Sequence, residues 1–145
     1  MRGGAAVTVQ RASRASHVPS DRRLRAWARA ALRGEAIVTL RYVGEVEGRR
    51  LNREYRGRDY ATNVLTFVYG TRPLSGDVVI CAPVIAAEAK AQGKALEAHH
   101  AHMVVHGLLH LQGLDHERVR EADAMEARER RILARLGYPD PYRGS

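Results

Sequence analysis

Cysteine occurs once in these 145 residues, as Cys81. A single thiol excludes an internal disulfide and a closed zinc site built from thiolates. Cys81 follows the apolar run Val78–Ile80, where a buried, reduced thiol in a strand is expected, in keeping with a reducing compartment. No run of 18 apolar residues is present, so nothing reads as a membrane span, and the N-terminus lacks the apolar stretch of a secretory signal. Its Arg-, Ser- and Ala-rich composition has the look of a mitochondrial transit peptide. However, Val7 and Val9 alternate as in a strand and lead through Val18, Pro19 and Ser20 into a helix start. The segment is therefore read as part of the fold, and the expected location is the cytoplasm.

Lysine is nearly absent as well. Lys90 and Lys94 are two among 24 basic residues, set against 16 acids, so the net charge of +8 is carried almost wholly by arginine. Such an excess favours polyanions such as RNA or an anionic membrane. It equally suits solubility under an arginine-rich genome bias. No internal repeat or linker interrupts the chain. One domain over residues 1–145 is expected, long enough to bury about two thirds of its unfolded surface.

Periodicity predicts a helix from Asp21 to Arg33 with Leu24, Trp27, Ala28 and Ala31 inward, stopped by Gly34, and a strand over Ala36–Val43. A helix through Arg56 displays Val46, Leu51 and Tyr55 and ends at Gly57; strands follow over Asn63–Tyr69 and Asp77–Cys81, with a turn region from Gly70 to Gly76. Pro83 opens a short helix that Gly93 closes. Apolar residues nearly encircle the helix from Leu96 to Gln112, which makes it the central one. A last helix, Arg118 to Leu136, carries the stripe Ala122, Met125, Glu129, Ile132, Leu133 and Leu136, and the tail beyond it is expected to be loose. Strands early and helices late imply an α+β fold, a small mixed four-stranded sheet covered by about five helices.

What the chain does contain is histidine at metal-ligand spacing, in HGLLHLQGLDH from His106 to His116. Positions i and i+4 of a helix lie about 5–6 Å apart at Cβ, so His106 and His110 can grip one ion. Gly113 permits the chain to reverse and return His116 to the same point. Three imidazoles with a fourth position open is the catalytic zinc arrangement, and one zinc per chain is expected, although imidazole also suits copper, nickel and iron. The pattern HxxxHxxGxxH matches the metzincin proteases except that Gly107 stands where they carry a glutamate, so the central helix is zincin-like without the general base of peptide hydrolysis. Zinc beside a cation can still serve phosphodiester chemistry. Asp115 can hold a ligating imidazole or cap the following helix, and His99, His100 and His102 can relay protons, add a ligand or simply pack.

Together with LNREYRGRDYATNVLTF (Leu51–Phe67), GDVVI (Gly76–Ile80) and the terminal LGYPDPY, the histidine motif resembles the YbeY family of bacterial rRNA maturation endoribonucleases. The resemblance implies a metal-dependent, single-strand-specific endoribonuclease acting in 16S rRNA 3′-end processing and ribosome quality control. It implies zinc held by His106, His110 and His116, and single-stranded rRNA and the small ribosomal subunit as partners, with neither membrane nor DNA. Within YRGRD it places a functional arginine at Arg56, whose guanidinium would stabilise charge growing on a phosphate. Arg58 beside it would hold RNA backbone. Pairing of these arginines with Asp59 or Glu54 is the competing expectation. Asn63 and Thr66 would shape the cleft edge by local hydrogen bonds. The departures from the family pattern, Val68 in place of proline and Thr66 in place of serine, touch the cleft wall. The competing functions are a zinc peptidase related to metzincins, which Gly107 disfavours, and a non-catalytic ribosome assembly factor.

Overall fold

The computed structural model describes residues 4–12, 18–113 and 119–143, with side chains of the last helix described from 122 onward. Four strands, β1 (Ala5–Arg11), β2 (Ala36–Val43), β3 (Val64–Thr71) and β4 (Leu74–Cys81), form a sheet of order β1-β2-β4-β3. β1, β2 and β4 run parallel, and β3 is an antiparallel edge. With them stand α1 (Asp21–Ala31), α2 (Glu45–Arg56), α3 (Ala82–Gln92), α4 (Leu96–Leu111) and α5 (Val119–Leu136). This is the mixed α+β architecture expected.

One sheet face carries the main core. Val38, Leu40, Tyr42, Val78 and Ile80 point from the central strands toward α1, α4 and α5, where Leu24, Val104, Leu108 and Leu133 are buried with them. The other face holds a smaller cluster of Val43, Leu65, Val79 and Cys81 beneath Leu51 and Val84. Central strands buried on both faces explain their continuous apolar runs. The apolar α4 lies in the main core, with Ala101, Val104, Val105, Leu108 and Leu109 fully buried.

Two boundaries and the face of one helix differ from the periodicity. The first helix stops at Ala31, short of Gly34, because Gln112 from the end of α4 donates to the Ala31 carbonyl at 2.8 Å and accepts the Arg33 N–H at 3.0 Å. A distant side chain thus supplies the cap. In α2, Val46 is 86% exposed while Asn52 is buried, donating to the Tyr60 carbonyl at 2.7 Å. Of the expected face only Leu51 packs on the sheet, while Val46 and Tyr55 stay largely exposed, and the Asn52 bond ties the helix to the chain that follows it. The hairpin is tighter than the turn signals suggested, with only Arg72 and Pro73 between β3 and β4. Gly76 serves close approach there, not a turn: a Cβ would fall on the Phe67 carbonyl oxygen and against Leu111 of α4.

Candidate active site

α4 crosses the sheet so closely at Gly107 that a Cβ there would lie 2.8 Å from Val78 Cγ1 and 3.0 Å from Val64 Cγ1. A glutamate at this position has no room on the sheet-facing side, which explains the departure from the protease pattern. The close approach brings His106 and His110, one turn apart, against the start of β3. They line a cavity of about 210 Å³ with Arg56, Asn63, Val64, Thr66 and Gly107. Gly107→Ala is expected to push α4 off the sheet and cost about 1–3 kcal/mol from overpacking, partly offset by the better helix propensity of alanine. An unchanged denaturation midpoint would contradict this.

Of the residues singled out in the sequence, Arg56, His106 and His110 therefore meet at one cavity. His116 and Asp115 lie outside the described residues. Arg58 does not line the cavity; it is exposed and donates to the Tyr60 hydroxyl at 3.3 Å. The competing expectation for Arg56 fails, since Glu54 pairs with Arg50 at 3.6 Å and Asp59 with Arg49 at 2.8 Å and Arg53 at 3.5 Å. Arg56 is exposed and has no ion-pair partner among the described residues.

Each histidine of the pair is oriented through Nδ1. Thr66 Oγ1 lies 3.0 Å from His110 Nδ1, and Glu129 Oε2 lies 3.0 Å from His106 Nδ1. Glu129 is fully buried, accepts from His102 Nε2 at 2.8 Å and receives the Tyr142 hydroxyl at 2.7 Å. Burial opposes its charge, but the hydrogen bonds from His102 and His106 and the fields of those rings outweigh it and hold the carboxyl below its ordinary value. Burial, against the pull of Glu129, pushes His102 down. The pair reads as a neutral imidazole donating to a carboxylate.

Glu129 and Tyr142 were not recognised in the sequence. A glutamate inside an otherwise apolar stripe was the available signal for the first. In the tail expected to be loose, Asp140 to Tyr142 are docked instead: Arg130 lies 5.2 Å over the Tyr142 ring and 3.2 Å from Asp140, and Lys94 donates to the Pro141 carbonyl at 2.9 Å. His99 bonds Glu88 at 2.9 Å, and Glu88 also accepts from Asn63 at the cavity edge.

His100 Nδ1 is hydrogen-bonded to the buried Tyr42 hydroxyl at 2.9 Å; burial, then neighbouring His99, pushes its pKa down to about 4. Tyr42 is itself pushed up by burial, with Arg11 working slightly against this. His100 stays neutral in the fold while the unfolded chain protonates below its ordinary 6.5. Stability should therefore fall as pH drops from about 6.5 to about 4, by on the order of 3 kcal/mol from this ring. His100→Asn, which does not titrate but can still hydrogen-bond to Tyr42, should flatten that slope in urea titrations.

The residues fit a metal ion. Ligand atoms of His102, His106 and Glu129 all lie within 4.8 Å of one another and could hold one. Imidazole with carboxylate suits zinc and other first-row divalent ions. The same carboxylate is also what orients a ligating imidazole, since a histidine bound to metal through one nitrogen donates its other N–H to such an acceptor. His106 belongs to this group and to the cavity it shares with His110.

Fold and site together define an α+β domain whose core helix presents paired histidines, braced from behind by a buried glutamate, to a small cavity flanked by an arginine. A family model described as endoribonuclease YbeY matches residues 10–137, and the chain belongs to that family. A protein named endoribonuclease YbeY from Aromatoleum aromaticum is 62% identical over 141 residues, covering 94% of this chain and 92% of its own length. One of the same name from Methylobacillus flagellatus is 54% identical over 138 residues, covering 94% and 93%. The solution structure of a Thermotoga maritima protein shares the fold, with a TM-score of 0.61 at 22% identity over 94% of this chain and 99% of that one.

Proposed function

We propose that the protein is a metal-dependent endoribonuclease that cuts single-stranded rRNA, acting in the cytoplasm in 16S rRNA 3′-end processing and ribosome quality control on the small subunit. The observation that carries this reading is the convergence of Arg56 with His106 and His110 on one cavity, in a chain of the YbeY family. The ion would be zinc, one per chain, held by His106, His110 and His116. With Nδ1–H of His106 donated to Glu129, the lone pair a metal requires resides on Nε2. Thr66 can accept from Nδ1 of His110 to the same effect. When bound, the ion supplies Lewis acidity toward a phosphodiester.

The chain's own residues do the rest. Arg56 grips the non-bridging oxygens of the scissile phosphate and stabilises the charge that grows on them, and Arg58 contacts backbone beside it. Asn63, fixed by Glu88, shapes the edge at which the strand enters. No helix among the described residues is long and apolar enough to cross a membrane.

The test combines elemental analysis with digestion of matched single-stranded and duplex RNA by wild type and His116→Ala. About one zinc per chain, cutting of the single strand and loss of both in the variant are expected. Cutting retained by His116→Ala would overturn the assignment, and RNA left intact by zinc-loaded wild type would favour an assembly factor.

A further inference from the structure

Four arginines meet at a second opening, outside the catalytic cavity. Arg33, just beyond α1, and Arg128, Arg131 and Arg135 of α5 line a space of about 260 Å³ over Leu32 and Ile132. No acidic side chain lines it, and none of the four has an ion-pair partner among the described residues. Neighbouring Arg130, by contrast, is paired with Glu126 at 3.6 Å and Asp140 at 3.2 Å. Burial, then the charges of Arg33 and Arg131, push the Arg128 guanidinium below its ordinary value. Gathering like charges costs free energy in the folded state, and a polyanion is the ligand that would offset it.

The opening is linked to the catalytic cavity through shared lining residues, along a groove that Glu35 also lines. Arg33 also lines a groove of about 820 Å³ together with Arg72 and His110, and His110 lines the cavity that holds Arg56. Gln112 fixes this link, bonding the Arg33 N–H and the Ala31 carbonyl on one side and the Leu108 carbonyl at 3.0 Å on the other. The end of α4 is thereby tied to the segment that carries Arg33. From Arg128 to Arg135 the charges extend about 10 Å along the helix axis, a row suited to a polymer more than to one small anion.

We propose that Arg33, Arg128, Arg131 and Arg135 form an exosite for the phosphate backbone of single-stranded RNA, holding the strand beyond the portion that lies at Arg56, His106 and His110. The ligand's identity rests on the endoribonuclease reading; guanidinium forks match phosphodiester oxygens bidentately, and the groove beside the cluster shares His110 with the cutting site.

Fluorescence anisotropy with cleavage-resistant 2′-O-methyl phosphorothioate RNAs of about 16 and about 4 nucleotides tests the exosite. Metal-loaded wild type is compared with Arg131→Ala/Arg135→Ala, both exposed positions, and with Arg22→Ala/Arg29→Ala, an equal charge loss on the exposed side of α1. The exosite pair should weaken the long RNA about tenfold and lower its salt slope by about 1.4, at about 0.7 for each phosphate that is no longer neutralised. The short RNA and the control pair should change less than about twofold, and Arg131→Lys/Arg135→Lys should keep most of the affinity, since it preserves the charge. Equal losses for both RNA lengths, or an equal loss in the control pair, would overturn the exosite. Competition by polyglutamate as effective as that by RNA would assign the cluster to an acidic protein instead. RNA left uncut by wild type alongside this binding pattern would sink the endoribonuclease reading alone; normal cutting with unchanged affinities would sink the exosite alone.

Discussion

Arg56→Ala is expected to lower the rate of RNA cleavage by about 10²–10³-fold, the typical cost of removing one preorganised group that stabilises transition-state charge. The fold should not change. Arg56 is exposed at the end of α2, and its guanidinium takes no part in the ion pairs that hold Glu54 and Asp59, so stability should stay within about 0.5 kcal/mol of wild type. Arg56→Lys should recover part of the rate, because an ammonium restores charge without bidentate geometry. The readout is single-turnover cleavage beside a thermal melt. Near-normal cleavage in Arg56→Ala would remove this residue from the chemistry.

Glu129→Gln should weaken metal binding by about 10–100-fold, as substitution of a group that orients ligating histidines commonly does. The carboxylate accepts from His102, His106 and Tyr142 at once. An amide of the same shape presents N–H where one of these donors needs an oxygen, so a buried donor is left unsatisfied at a cost of about 1–3 kcal/mol. Chelator competition separates the two effects, because a purely structural glutamate would lower the melting temperature and leave the affinity of the folded protein intact. Unchanged affinity would mean that His106 is oriented by something else.

The histidine pair was legible because helical spacing depends only on local geometry: once Leu96–Leu111 is a helix, His106 and His110 must share a face. Arg56 was singled out through resemblance to a family, since nothing in YRGRD distinguishes a phosphate-binding arginine from one paired to Asp59. Glu129 was placed on the inward stripe of α5, yet its function was invisible because its partners lie 23 and 27 positions away in sequence. Tyr142 was hidden for the same reason, in a short tail that was expected to be loose. On α2, Val46, Leu51 and Tyr55 suggested one apolar face, of which only Leu51 packs on the sheet, while the buried Asn52, bonded to the Tyr60 carbonyl, carried no apolar signal.

By itself, the sequence determined the succession of nine elements, the apolar faces of the central strands and the pairing of two imidazoles on a core helix. The tertiary structure alone decided why Gly107 is a glycine, which carboxylate braces His106, how Gln112 ends α1, and that four arginines converge near the groove. Periodicity states which side of an element avoids water, which is a property of neighbouring residues. Which polar group stands opposite is fixed only when distant segments pack, because a buried donor or acceptor must then find its partner in whatever the fold has brought within about 3 Å.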